Sequence, residues 1–144
     1  MSMTTRPAAT TTASRVPRWR PAAYWLATAA VTFELALGGA WDIARLPYVR
    51  DLVTHLGYPT YFLVVLGIWK VLGAVVLLVP GRPVLKEWAY AGTTFVYTGA
   101  IASHLTTGYD RAEVPLLAVL AALTLASWAL RPASRRPARA PARG

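Results

Sequence analysis

The chain contains no cysteine among its 144 residues. This absence excludes disulfides, thiolate nucleophiles, cysteine-ligated zinc or iron–sulfur clusters and covalently attached c-type haem. Charged residues are scarce at 15%, whereas hydrophobic residues make up 56% of the chain. So apolar a composition is atypical of a soluble domain and indicates a membrane protein. The length suits one domain, which excludes a two-domain enzyme.

Acidic residues are also few: 6 Asp and Glu stand against 15 Lys and Arg, for a net charge of +9. The basic residues concentrate in the two terminal segments and in the loop with Arg82 and Lys86, while the other two loops hold only Arg45, Arg50 and Arg111. Cytoplasmic loops of membrane proteins carry such an excess, so both termini are predicted to be cytoplasmic. Topology thus explains the charge, which favours contact with anionic lipid headgroups over nucleic acid.

Four apolar stretches are each long enough to cross a bilayer as a helix. They cover about residues 22–40, 60–79, 85–107 and 114–130, and the third is the most polar. Residues 1–20 and 132–144 have no apolar period and are predicted to be disordered, basic, cytoplasmic tails. The predicted fold is therefore all-α: a four-transmembrane-helix bundle over residues 21–131.

A short interfacial helix is predicted in the first external loop. Pro47 suits the start of this helix and Gly57 its end. Its apolar residues recur at the i, i+3, i+4, i+7 spacing of one helix face, namely Val49, Leu52, Val53 and Leu56. We interpret the helix as a plug over the outer end of the bundle; the alternative is a lid that gates a ligand site.

Two ionisable residues lie inside the predicted spans, Glu34 and Lys70. A charge at the bilayer centre costs about 2.5–3.5 kcal/mol on insertion scales, so such residues usually have a partner or line a pathway. Counted from the outer ends of their helices, Glu34 lies about 10 Å deep and Lys70 about 16 Å deep, a gap that a lysine side chain can close. The two are predicted to pair, either as a proton or ligand site or as an ion pair that fixes helix register. Nearby glycines would let the two helices approach closely: Gly38, Gly39, Gly67 and Gly73.

The third span carries a mostly polar stripe on one helix face, which should face protein. Its members are Glu87, Tyr90, Thr94, Tyr97, Ile101 and His104. Glu87 and His104 lie about 26 Å apart along the axis and cannot form one catalytic pair. His104 falls near the depth of Glu34, where a His/Glu/Tyr cluster could relay protons, hold a metal or bond a quinone carbonyl; the alternative is a packing histidine.

These patterns identify candidate binding residues. No catalytic residue and no metal ligand is predicted. The primary intramembrane candidates are Glu34, Lys70, Tyr97 and His104. The secondary candidates are His55, Glu87, Tyr90 and Asp110.

Four segments carry a resemblance to a known family: residues 55–59 (HLGYP), 66–74 (LGIWKVLGA), 86–92 (KEWAYAG) and 99–105 (GAIASHL). The chain from about Thr32 to Pro132 resembles the DoxX-like family of small bacterial membrane proteins. The resemblance implies four membrane helices and, through a family name derived from a subunit of a thiosulfate:quinone oxidoreductase, quinone-linked redox. The family pattern often places an acidic residue directly after the glycine that follows the histidine segment; here Tyr109 precedes Asp110.

Three classes of function follow. The first is an accessory subunit of a membrane redox or stress-response system, with a quinone or lipid pocket lined by Glu34, Tyr97 and His104. The second is transport of protons or a small solute, and the third is a structural scaffold. No self-contained catalytic motif is present, so the chain is not expected to be an enzyme on its own. The expected partners are the bilayer and either a redox protein or a second copy; no cofactor is identified, and quinone is the candidate ligand.

Overall fold

The structure is a computed structural model that describes residue 17 and residues 19–137. These residues form five α-helices and two short 3-10 helices and contain no β-strand, which confirms the all-α prediction. The α-helices are α1 (Trp19–Ala44), α2 (Pro47–His55), α3 (Tyr61–Leu78), α4 (Pro83–Thr107) and α5 (Val114–Leu130). Most of the two predicted tails lies outside the described residues, and their disorder stays a prediction.

Proline and left-handed residues set the helix ends. α1 ends where Arg45 adopts a φ of 51°, two residues before Pro47 begins α2. α3 and α5 both stop before a proline, because Val79 and Arg131 are extended, as residues preceding proline usually are. Gly108 ends α4 in the left-handed conformation that glycine tolerates best.

The first helix is longer at both ends than the apolar stretch at 22–40 that predicts it. Trp19 lies in its first turn, and Trp41 and Asp42 lie inside the helix rather than in the following loop. Apolar periodicity misses both extensions, since the polar Arg20 and Asp42 interrupt the hydrophobic stretch while the helical backbone continues. The predicted loop helix at Pro47 is confirmed as α2.

The four long helices are arranged so that α1 packs against α3 and α5, and α4 packs against the same two helices. Their shared core is made of apolar and tyrosine side chains from all four helices: Val31, Leu35, Ala74, Leu77, Tyr90, Tyr97 and Leu120. α2 lies across one end of this assembly, where Val49 and Val53 pack on Leu63. We call this end the α2 end, and the opposite one, where α3 passes into α4, the α3–α4 end.

Among residues 19–137, three helical segments are long and apolar enough to cross a membrane: Trp19–Ala44, Tyr61–Leu78 and Arg111–Leu130. Large hydrophobic side chains also remain exposed along the outside of the bundle, as at Leu26, Trp69 and Trp88. Contiguous exposed apolar surface of this kind would be a liability in water and is normal in a bilayer. The structure therefore indicates a membrane protein.

The α3–α4 end is held by basic side chains. Lys86 is fully buried and donates hydrogen bonds to the carbonyl oxygens of Val76 and Leu77. These oxygens lie at the end of α3, where no further helical turn supplies a backbone N–H. Arg135 donates to the Leu77 carbonyl oxygen as well. Basic residues that the positive-inside pattern counts thus also satisfy and neutralise the negative end of a helix.

Candidate functional site

The site begins with a close contact between the backbones of α1 and α3. A Cβ added at Gly39 would lie 2.9 Å from the carbonyl oxygen of Gly67, and one at Gly67 would lie 2.5 Å from that of Gly39. Only glycine fits at such a distance, so the prediction of close helix approach is confirmed for this pair. It is wrong for Gly73, where an added Cβ would meet nothing nearer than 3.9 Å.

Lys70 lies one turn beyond this contact and joins two carboxylates of α1. Its Nζ is 3.0 Å from Glu34 Oε1 and 3.4 Å from Asp42 Oδ2. The first distance confirms the predicted pair. The second is an ion contact without hydrogen-bond geometry, since Asp42 Oδ2 is buried and has no hydrogen-bond partner. The ion cluster of Glu34, Asp42 and Lys70 thus holds two acids against one base.

Gly38 makes room for the ion pair. A Cβ there would lie 2.6 Å from Lys70 Nζ and 2.8 Å from Glu34 Oε1. Tyr97 of α4 is fully buried, and its hydroxyl donates a hydrogen bond to Glu34 Oε2. Glu34 therefore connects α1 to both α3 and α4, and each of its two oxygens has a partner.

A large cavity of about 700 Å³ lies against this ion cluster at the α2 end. Its polar side is formed chiefly by the side chains of the cluster, Tyr97 and His104, and the remaining lining is mostly apolar and aromatic. Phe33 and Phe95 line the cavity yet are 69% and 74% exposed, so it reaches the apolar outer surface of the bundle. The cavity therefore combines a polar wall, apolar walls and an opening toward the space that lipid would occupy.

α2 covers one side of the cavity with the apolar residues of its predicted stripe, Val49, Leu52, Val53 and Leu56. It is fastened by polar contacts on either side. The Tyr48 hydroxyl donates to Glu113 at 2.7 Å, and this hydrogen bond to a carboxylate raises the pKa of Tyr48 to about 12. The Tyr58 hydroxyl lies 2.8 Å from Ser103 Oγ. Both contacts join the α2 region to residues close to one end of α4 or α5.

His104 is buried and lines the same cavity as Tyr97, from which it is two turns away on one face of α4. Its Nδ1 lies 2.8 Å from the carbonyl oxygen of Tyr109. His55 of α2 stacks on the Tyr109 ring, with centroids 4.4 Å apart. The two histidines therefore meet at Tyr109 rather than at the ion cluster, and His104 has the hydrogen bond expected of a packing histidine.

A comparison with protein families gives a match over residues 26–127 to the model described as the DoxX-like family. The chain belongs to the DoxX-like family. The match covers α2, α3 and α4 entirely and most of α1 and α5, so the ion cluster and the cavity lie within the matched residues. No curated protein and no solved structure gives a significant match to the chain.

The secondary candidates of this DoxX-like chain lie apart from the cluster. Tyr90 is hydrogen-bonded to Ser127 at 2.8 Å inside the bundle, and Glu87 pairs with Arg131 at 2.7 Å near the α3–α4 end. Asp110 precedes the 3-10 helix at Arg111–Glu113, with a left-handed φ of 45°. Between residues 19 and 137, no three His, Asp or Glu side chains are grouped so that they could hold a metal ion.

Sequence reasoning missed Asp42, Lys86 and Arg131. Asp42 could have been found from its spacing, because Glu34, Gly38 and Asp42 follow one another at intervals of four and so share a helix face. Lys86 and Arg131 carry no such signal. From the sequence, each is expected to be an exposed basic residue at the end of a span, and only the folded structure shows that both are buried.

Proposed function

We propose that this DoxX-like protein is a four-span membrane protein that binds an apolar molecule with polar oxygens, of the quinone class, in the cavity beside Glu34 and Lys70. The observation that carries the proposal is the cavity of about 700 Å³, in whose mostly apolar lining the ion cluster and Tyr97 form a polar wall. Ligand sites of small molecules typically measure about 300–1,000 Å³ and have this composition.

We count α4 as the fourth span. α4 has 25 residues, about 38 Å of helix, which exceeds the hydrocarbon thickness of about 30 Å. It packs against α3 and α5, both apolar enough to cross, and its polar side chains Tyr90, Tyr97 and His104 are buried within the bundle. Four spans would put both termini on one side. The distribution of basic residues supports the cytoplasmic side, and the family resemblance supports a bacterial plasma membrane.

The polar wall fits the oxygens of a quinone ring. An ammonium group has three N–H donors, and Lys70 pairs with Glu34 while its contact with Asp42 lacks hydrogen-bond geometry, so a donor remains for a ligand oxygen. Glu34 is 28% exposed and supplies an acceptor for a ligand hydroxyl. Aromatic side chains in the lining, such as Phe33 and Trp41, offer contacts to the face of a ring. The wall thus presents a donor and an acceptor beside apolar surface.

The role that follows is accessory. No residue of the cavity forms a recognisable catalytic constellation, and the ion cluster supplies no electron carrier. The protein would hold the ligand for a redox or stress-response partner in the same membrane. When bound, a quinone supplies the capacity to exchange electrons and protons; the residues of this chain bind and orient it and keep it beside Lys70.

The test is purification in mild detergent, solvent extraction and mass spectrometry of the extracted lipids and quinones. Gly99 lines the cavity and has open space around it, so Gly99→Leu should fill the cavity without a clash. Ala122 is exposed on α5, and Ala122→Leu is the matched control. We expect a quinone-class molecule with wild type and Ala122→Leu and its loss with Gly99→Leu. Equal amounts with all three proteins would contradict the proposal.

The second candidate is proton or solute movement, favoured by one observation. The ion cluster holds two carboxylates for one lysine, so it carries an excess acid group inside the bundle. Such a group can exchange a proton or a cation. Proteoliposomes with a pH-sensitive dye inside would report proton movement, and Glu34→Gln should abolish it if this candidate is right.

A further inference from the structure

A second cavity of about 440 Å³ lies beside the first, between α3 and α4. The two share four lining residues, Phe62, Leu66, Lys70 and Val96. The second is lined almost entirely by apolar side chains; Lys70 and Thr93 are its polar members. We call it the tail groove. The first cavity adjoins the groove along the four shared residues, one of which, Lys70, forms part of the polar wall.

The tail groove is elongated along the bundle. Its lining runs on α3 from Phe62 to Val76, a distance of about 21 Å along the helix axis. On α4 it includes Val96 and extends to Trp88 and Leu85, near the start of the helix. Beyond the residues that it shares with the first cavity, the groove continues toward the α3–α4 end for about 9 Å on α3, from Lys70 to Val76, and about 16 Å on α4, from Val96 to Leu85.

Two glycines keep the groove open. A Cβ added at Gly92 would meet nothing within 4 Å, and one at Gly73 would meet its first neighbour at 3.9 Å. Neither glycine is required for close backbone approach, unlike Gly39 and Gly67. Alanine would favour the helix by up to about 1 kcal/mol at each position, so the empty space has no packing reason in the bundle itself.

We propose that the ligand is an amphiphile with one long apolar chain, whose polar head lies in the first cavity against Lys70 and whose chain lies in the tail groove. This deepens the proposed function by naming the class of ligand, and it rests on that function. The two cavities adjoin along four shared lining residues, Lys70 among them, which favours a single occupant over a separate lipid. The exposure of Trp69 and Trp88, at 67% and 74%, leaves the groove open to the bilayer, from which a chain can enter sideways.

The experiment compares two probes that share a quinone head: decylubiquinone, which has an alkyl chain, and duroquinone, which has none. Binding is measured by quenching of tryptophan fluorescence in identical detergent micelles, so that partition into the micelle cancels between proteins. Gly92→Leu should fill the tail groove and Gly99→Leu the first cavity, with Ala122→Leu as control. Leu72 is half exposed in the groove, and Leu72→Trp is a second groove variant should Gly92→Leu fail to fold.

We expect Gly92→Leu to weaken decylubiquinone binding at least about tenfold, because the chain loses its buried contacts, and to leave duroquinone binding within about twofold. Gly99→Leu should weaken both probes. Unchanged decylubiquinone binding in both groove variants would overturn the inference, while the proposed function would stand. A fall in co-purified phospholipid alongside unchanged decylubiquinone binding would overturn the inference in the same way. If neither probe binds wild type, the proposed function fails and the inference with it.

Discussion

Gly67 of α3 lies on the backbone of α1 at Gly39, so close that a Cβ on Gly67 would come within 2.5 Å of the Gly39 carbonyl oxygen. Lys70 follows one turn later on α3 and reaches Glu34 and Asp42 from this fixed position. The backbone contact sets the spacing of the two helices, and the ion cluster sets their register. Together they build the polar wall of the cavity.

Gly67→Ala should therefore lower the free energy of unfolding by about 1–3 kcal/mol, because the added methyl group forces the two helices apart. Thermal unfolding in one detergent measures this loss. Gly92→Ala is the matched control, since a Cβ there meets open space, and it should be neutral or stabilising by up to about 1 kcal/mol. A Gly67→Ala protein as stable as wild type would disprove the close contact.

The ion cluster predicts unequal losses for its members. Lys70→Met leaves two carboxylates without a cation and should cost about 3–5 kcal/mol, the usual effect of breaking a buried pair. Glu34→Gln should cost less, because Asp42 remains as a partner for Lys70. The double variant should lose less than the two single losses added together.

Asp51→Asn is the control for this cycle, because Asp51 lies exposed on α2, away from the ion cluster. An exposed surface charge contributes about 0–1 kcal/mol, so its loss should be small. Strictly additive losses for Glu34→Gln and Lys70→Met, or a larger loss for Glu34→Gln, would show that the two residues do not interact as described.

The hydrogen bond from Tyr48 to Glu113 predicts that the stability of the protein falls at alkaline pH. This hydrogen bond raises the pKa of Tyr48 from the usual value of 10.0 to about 12, since the neutral phenol is the donor. The stability that this contact contributes is fully present below pH 10 and is lost as the pH rises through about 12. A titration of phenolate absorbance should lose a step near pH 12 in Tyr48→Phe, and Glu113→Gln should move that step back toward pH 10. If the difference between the titrations of wild type and Tyr48→Phe is centred at pH 10 instead, the contact is contradicted.

Much of this fold could be predicted because the apolar periodicity and the positions of proline and glycine indicate the same helices. Apolar stretches marked the long helices, and Pro47, Gly57 and Gly108 lie at helix boundaries where their backbone preferences place them. The pairing of Glu34 with Lys70 also follows from sequence, because two opposite charges at similar depth in hydrocarbon have little alternative.

The rest of the site depends on packing that no local pattern encodes. Asp42 joins the cluster because α1 continues past the end of its apolar stretch, and Tyr97 meets Glu34 because α4 packs across from α1 at that level. His104 shares a helix face with Tyr97, yet its partner is a loop carbonyl of Tyr109. Lys86 is buried because α3 ends beside it with free carbonyl oxygens, which is a relation between two helices rather than a property of either.

The proposed topology predicts which loops face outward. The chain has no cysteine, so single cysteines introduced into it report their own position. Arg50 lies exposed on α2 and Arg82 precedes α4. Arg50→Cys should react with an impermeant thiol reagent in intact cells, and Arg82→Cys should react only after lysis. The reverse pattern would overturn the orientation, and equal reactivity in intact cells would contradict the crossing of the membrane by α3, which lies between the two positions.

The central claim is that the cavity beside Glu34 and Lys70 is the place where the ligand binds. Photolabelling with an azidoquinone in membranes, followed by peptide mapping, tests it most directly. Label should fall on cavity residues of α2 and the following segment, such as Leu52, Tyr58 and Phe62, and Gly99→Leu should remove it while Ala122→Leu keeps it. Label confined to the outward face of α5, unchanged by Gly99→Leu, would contradict the claim.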